Sequence, residues 1–183
     1  MPVPALVGEA GWTTLERKAA RPTFDLNGIW GGFQGEGTKT VLPKEAHAKI
    51  TCRLVPNQTP DRAYQLVAAH VTKHALPGVR VIPRQLPGVG DPYYMPADHP
   101  ANRVAAGVLR DVFGRDPVYC RMGGSVPVLA TFLKELGVYS VSYAFALDDE
   151  CAHAPDEFFR LKNYTRARRA HGMLWERIAE TGI

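Results

Sequence analysis

The chain has 183 residues, room for one domain of ordinary size or two small ones. With 45% hydrophobic and 22% charged residues it has the composition of a chain that buries a core, and no apolar run reaches the length of a membrane span. The formal charge of +4 is mild and its basic residues are scattered, a pattern that predicts neither a nucleic-acid nor a membrane partner.

Residues 1–22 carry Pro2, Pro4, Gly8 and Gly11 and then a basic stretch, and read as an irregular lead-in. They lack a basic segment followed by an apolar core, so the expectation is a cytoplasmic protein without a secretory signal. Cys52, Cys120 and Cys151 are odd in number and far apart. That spacing fits neither a disulfide framework nor a CxxC zinc site, and reduced, buried thiols are expected.

Phe24, Leu26, Ile29 and Trp30 surround Asn27-Gly28, which reads as a strand interrupted by a turn or bulge signal, followed by a glycine-rich loop over 31–37. The clearest strand lies within 39–55, where Ala46, Ala48, Ile50, Cys52 and Leu54 alternate with His47, Lys49, Thr51 and Arg53. Thr59-Pro60-Asp61 is a helix start, and Tyr64, Val67, Ala68, Val71 and Ala75 continue it as a stripe that could receive the apolar strand face. Pro77-Gly78 stops that helix, 79–82 reads as a short strand, and the Pro- and Gly-rich run 83–96 reads as a linker.

Beyond the linker the pattern alternates. Val104, Val108, Leu109 and Val112 mark a helix ended by Gly114, and 117–121 reads as a strand. Val128, Leu129, Phe132, Leu133 and Leu136 mark a helix ended by Gly137, and the apolar run 138–145 reads as a strand buried on both faces. Leu161, Tyr164, His171, Leu174 and Ile178 mark a long last helix. The basic cluster Arg160, Lys162, Arg166, Arg168 and Arg169 at its start reads as a solvated helix face. The class is α/β, with too few strands in the second half for a whole doubly wound sheet.

Several residues could carry chemistry. Gly123-Gly124-Ser125 joins a strand to a helix, and is either a serine-capped turn or a set of outward N–H groups that would take a carboxylate or phosphate. Arg53 stands on the polar strand face, where it is a surface arginine or an anion clamp; Thr40 and His47 offer less. His99, before Pro100, reads as a helix-entry residue. His153 sits in an acidic loop, 148–157, ahead of the last helix. That placement suits a metal ligand or catalytic base, with Asp148 and Asp149 either orienting its ring or simply solvated. A Ser125–His153–Asp149 triad is a rival reading, but the chain lacks the G-x-S-x-G elbow that would present the serine.

Four segments occur in order: TVLP at 40–43, RLVPN at 53–57, RMGGSVP at 121–127 and DDECAHAPDE at 148–157. Together they resemble the C-terminal portion of a family M20 metallopeptidase, the group of aminoacylases, acetylornithine deacetylases and glutamate carboxypeptidases. The likeness runs from about residue 22 to 180 and is most evident for the cytosolic dipeptidase and carnosinase-like branch. It implies a catalytic α/β domain interrupted by a two-layer α/β sandwich lid, or dimerisation, domain. It also implies two zinc ions (or manganese) that activate a bridging water against a dipeptide or related amide. By position, the resemblance makes His153 a metal ligand and Arg53 the contact to the substrate carboxylate. Gly123, Gly124 and Ser125 become a substrate-binding turn, and Thr40 a lid residue near the substrate. Met122 and Gly88 stand where carnosinase-like members place a glutamate and a histidine.

The family's other metal ligands and its glutamate base belong to segments not represented here, so no catalytic residue is assigned. The resulting expectation is a partial lid over 1–88 and the second half of the catalytic domain over 89–183, inactive alone. The alternatives are a non-catalytic dimerisation or interaction module, a homo-oligomer, and one half of a split hydrolase completed by another chain.

Overall fold

The computed structural model describes residues 4–123 and 126–183. In chain order it contains α1 (Thr14–Ala20), β1 (Asp25–Gly31), β2 (Ala46–Thr51), α2 (Pro60–Lys73), α3 (Pro100–Phe113), α4 (Pro127–Leu136), a 3-10 turn (Asp148–Glu150) and α5 (Leu161–Thr181). The chain divides into two compact units, Met1–Tyr94 with Arg121–Thr131 and Met95–Cys120 with Phe132–Ile183.

In the first unit β1 and β2 pair antiparallel, with Trp30 opposite His47, Ile29 opposite Ala48 and Gly28 opposite Lys49. The register then slips between Leu26 and Gly28, so that Leu26 faces Ile50 and Asp25 faces Thr51. Asn27 is the extra residue of a bulge, as the Asn-Gly signal predicts. Without it Leu26 would oppose Thr51, on the polar face with His47 and Lys49. The bulge keeps Leu26 with Ile29, Ala46, Ala48 and Ile50, so one face stays apolar along its length. On the other face Trp30 stacks on His47, ring centres 4.8 Å apart and nearly parallel, and the Lys49 ammonium lies 5.5 Å from the Trp30 ring centre.

The irregular lead-in expected over 1–22 contains α1. Thr13 Oγ1 accepts the Glu16 N–H at 3.2 Å, and the Glu16 carboxylate accepts the Thr13 N–H at 2.8 Å. This capping box nucleates a helix too short for an apolar period to reveal. At α2 Thr59 is the cap and Pro60 the first residue, as expected from the sequence. The helix does not cover the apolar strand face, however: Leu26 and Ile29 stay exposed, and Leu66, Val67 and Val71 of α2 stand beside Phe24, just before β1. The helix is held by Tyr64, whose hydroxyl donates to the Pro83 carbonyl at 3.3 Å, and by Gln85, whose amide donates to Asp61 at 3.4 Å.

In the second unit α3 and α5 pack around Ala105, Val108, Ala170 and Leu174. Two alanines at the contact let the backbones approach closely, and Val108 and Leu174 fill the space between them. An Asp111–Arg177 ion pair ties the same two helices at the surface. The buried stripe of α5 is Asn163, Ala170 and Leu174, whereas the expected stripe included Leu161 and Tyr164, which are exposed. Asn163 earns its buried place by donating to the Phe145 carbonyl at 3.2 Å. Gly114 and Gly182 end α3 and α5 in the left-handed conformation, and Gly137 follows α4 with φ +69°.

Three expected strands are not strands. Among the described residues the only sheet is β1–β2, and 79–82, 117–121 and 138–145 do not join it. The third keeps a strand's period: Val141, Tyr143 and Phe145 are half-buried against the α3–α5 core, while Ser142, Ala144 and Ala146 are exposed. One face is therefore covered where two were expected. Apolar alternation sets which side chains turn inward, but a strand also needs a neighbour for its N–H and C=O groups.

Candidate functional site

The run 148–157 lies inside a loop closed by one arginine. Glu150 is 1% exposed. Its carboxylate accepts the Leu147 N–H at 2.9 Å, the Arg160 N–H at 3.1 Å and the Arg160 guanidinium at 3.0 Å. The same guanidinium grips Asp149 with two bonds of 2.9 and 2.7 Å. The Glu150 carbonyl also accepts the Phe158 N–H at 3.2 Å. A single buried carboxylate thus bonds to backbone on both sides of the loop, at 147 and at 160. This is the bidentate, charge-assisted geometry that arginine provides and lysine does not.

The electrostatics follow from these contacts. The Leu147 N–H, and then Arg160, hold the Glu150 carboxyl below the usual glutamate range against the opposing pull of burial. The bonds from Arg160 lower Asp149 in the same way, and Asp149 raises Arg160 in return. The clasp is charged at neutral pH.

Between the clasped ends the backbone is tight. Cys151, His153 and Asp156 all adopt left-handed conformations, with φ of +54°, +63° and +62°, which non-glycine residues adopt at some cost. The His153 N–H donates to the Glu157 carboxylate at 3.4 Å, and the residue is exposed. An exposed imidazole on a braced loop is available as a ligand or as a base.

The sequence left open whether Asp149 orients His153. Its two oxygens are both committed to Arg160 instead, which also removes the acid of the Ser125–His153–Asp149 alternative. Ser125 and Gly124 lie outside the described residues. Arg53 is exposed just beyond β2, its backbone pinned to Thr23 by bonds of 3.2 and 3.0 Å. Thr40 is exposed in the connection leading into β2. Gly123 approaches α1 so closely that a Cβ there would sit 1.9 Å from the Lys18 carbonyl oxygen, so packing alone demands a glycine. Arg53, Thr40 and Gly123 belong to the first unit and His153 to the second. His99 caps α3, its Nδ1 accepting the Ala101 N–H at 3.2 Å.

A metal pair needs more than the described residues bring together. A single imidazole such as His153 would fill one position of the four that a zinc ion takes. Among the described residues no three His, Cys, Asp or Glu side chains converge. The residues present therefore do not make a two-metal site. The reading of the sequence missed Arg160, which it placed in a solvated basic cluster; the signal was an acidic run shortly before an arginine at a helix entrance.

Residues 5–79 match the model of the peptidase dimerisation domain of M20 peptidases. The chain is similar to the Cys-Gly metallodipeptidase dug1 of Schizosaccharomyces pombe, 32% identical over 84% of this chain and 33% of that protein. It is similar also to the human Beta-Ala-His dipeptidase, 25% identical over 87% of this chain and 32% of that protein. Among solved structures, the M20 family metallo-carboxypeptidase Sso-CP2 from Sulfolobus solfataricus superposes with a TM-score of 0.69 at 26% identity, covering 87% of this chain and 36% of the other. The chain spans about a third of the length of the curated relatives it matches.

Proposed function

The chain is a relative of M20 metallopeptidases that carries their dimerisation domain, and from that premise we propose that it is the C-terminal portion of a metal-dependent hydrolase of dipeptides or related amides. The observation that carries the reading is the exposed His153 on a loop braced by Glu150 and Arg160, in a chain whose relatives are named as metallodipeptidases. In this reading residues 1–88 are part of the lid and 89–183 the second half of the catalytic domain. His153 is one ligand of a site for two zinc ions, or manganese. Arg53 holds the substrate carboxylate, a role its planar fork suits. Gly123, Gly124 and Ser125 form the turn against which the substrate lies, and Thr40 flanks it from the lid.

The residues described supply one metal ligand and no general base, so no hydrolytic step is assigned to this chain alone. Completion requires the remaining ligands, carried by a longer form of this chain or by another polypeptide. A Cys-Gly dipeptide, the substrate in the name of the fission yeast relative, is the first to assay. The purified chain with zinc or manganese is expected to give no turnover, and co-expression with the complementing polypeptide is expected to restore it. Turnover by the chain alone overturns its incompleteness. Restored turnover that survives His153→Ala overturns the ligand assignment.

A second reading, a non-catalytic dimerisation module, is favoured by the matched domain and by exposed Leu26 and Ile29 on the apolar strand face. Sedimentation that shows only monomer at high concentration refutes it.

A further inference from the structure

Helix α2 carries an imidazole pair that the peptidase reading does not use. His70 and His74 stand four residues apart, at the last turn and the cap of the helix, and both are exposed. Four residues is one helical turn, so the two side chains rise from the same face. Their ring centres are 4.5 Å apart and their planes tilted by 45°. Two imidazoles that share one ion at ~2.0–2.1 Å per nitrogen hold their ring centres ~5 Å apart. The pair therefore stands within a small side-chain rotation of a chelate. The backbone under it is fixed, because the His74 N–H donates to the His70 carbonyl at 3.1 Å. The negative end of the helix dipole at that terminus favours a cation. Lys73 opposes it, from a flexible stem at i+3.

The other four histidines are differently engaged. His47 stacks on Trp30 and sits 3.5 Å from Glu45. His99 caps α3 and packs on Tyr139. His171 bonds the Ala167 carbonyl at 2.8 Å, and His153 stands on its loop with its N–H on the Glu157 carboxylate.

We propose that His70 and His74 form a surface chelate for one borderline transition-metal ion, copper(II), nickel(II) or zinc(II), with water in the remaining positions, and that this pair is the tightest such site on the isolated chain. Closing a second imidazole on the same ion is an intramolecular step, a gain on the order of 10²-fold over one imidazole. The order of affinities is copper(II) above nickel(II) and zinc(II), and magnesium and calcium, which prefer oxygen ligands, are excluded. Metal carried by the purified chain then reports on α2, not on His153.

The test is calorimetric titration of the untagged 183-residue chain with copper(II), then zinc(II), and electron paramagnetic resonance of the copper complex. One tight equivalent with two nitrogen ligands is expected. His70→Asn and His74→Asn should each weaken it about 100-fold with the far-ultraviolet circular dichroism unchanged, and His153→Asn should leave it in place. A tight equivalent that survives both α2 substitutions, or the lack of any tight equivalent, overturns the proposal. Loss in His153→Asn alone also overturns it, while strengthening the assignment of His153 as a ligand; the two readings fail separately.

Discussion

Leu174→Ala is the sharpest probe of the packing between α3 and α5. Leu174 is 8% exposed and completes a buried cluster whose other members are Ala105, Val108 and Ala170. Since two of the four are alanines, Leu174 and Val108 supply most of the apolar volume between α3 and α5. Truncation removes three carbon groups, about 2.4 kcal/mol of transfer free energy at ~0.8 kcal/mol each. The cavity adds to that. Met173 and Ile178, half-buried beside it, can relax inward and limit the addition, and alanine recovers a few tenths of a kcal/mol in helix propensity. The net cost is about 3 kcal/mol, a factor on the order of 10² in the opening equilibrium. Because the chain has two compact units, a whole-molecule melting curve would blend them. Hydrogen exchange of the α3 and α5 amides reads the affected pair directly. Leu161→Ala, on the same helix but 81% exposed, is the control and should stay within about 0.5 kcal/mol of the parent. A Leu174 cost below about 1 kcal/mol, or one equal to that of Leu161, refutes the assignment of the core.

Three further outcomes test the loop and the turn. Arg160→Gln removes the guanidinium that joins Asp149 to Glu150, and is expected to open 148–159 to cleavage after Glu157 by a glutamate-specific protease while exchange in α3 stays unchanged; equal resistance in both proteins refutes the clasp. The Glu150 carboxyl is lowered in the folded state, so its contribution is complete above the ordinary glutamate range and lost as pH falls through the depressed value. The Leu147 and Arg160 amide resonances should accordingly titrate together, with a midpoint below the ordinary glutamate range. Gly123→Ala sets a Cβ against the Lys18 carbonyl and should cost about 1–3 kcal/mol in urea unfolding, with exchange of the α1 amides rising first.

The fold was legible where information is local. Thr59-Pro60 and Gly114 fix a helix start and a helix stop by the stereochemistry of one or two residues, and Asn27-Gly28 announces a bulge that the register requires. The capping box at Thr13 and Glu16 was equally local, and was overlooked only because no apolar period follows it. Strand formation is not local. Val141, Tyr143 and Phe145 turn toward the core as their alternation dictates, but whether 138–145 joins a sheet depends on a partner segment that its own composition cannot specify. The same holds for the α2 stripe, whose residues are apolar without naming the surface that covers them.

The site divides along the same line. His153 stood out because an imidazole in an acidic loop is conspicuous as a residue type. The feature that fixes the loop is a relation between Glu150 and Arg160, and neither is conspicuous alone. Within the basic run 160–169, Lys162, Arg168 and Arg169 are exposed, as a solvated face predicts. Arg166 instead lies 4.9 Å from the Phe113 ring centre, and Arg160 binds two carboxylates. What separates them is position: Arg160 precedes the first turn of α5, where its own N–H has no helical acceptor and can join its guanidinium on Glu150. The brace on His153 therefore depends on where α5 begins.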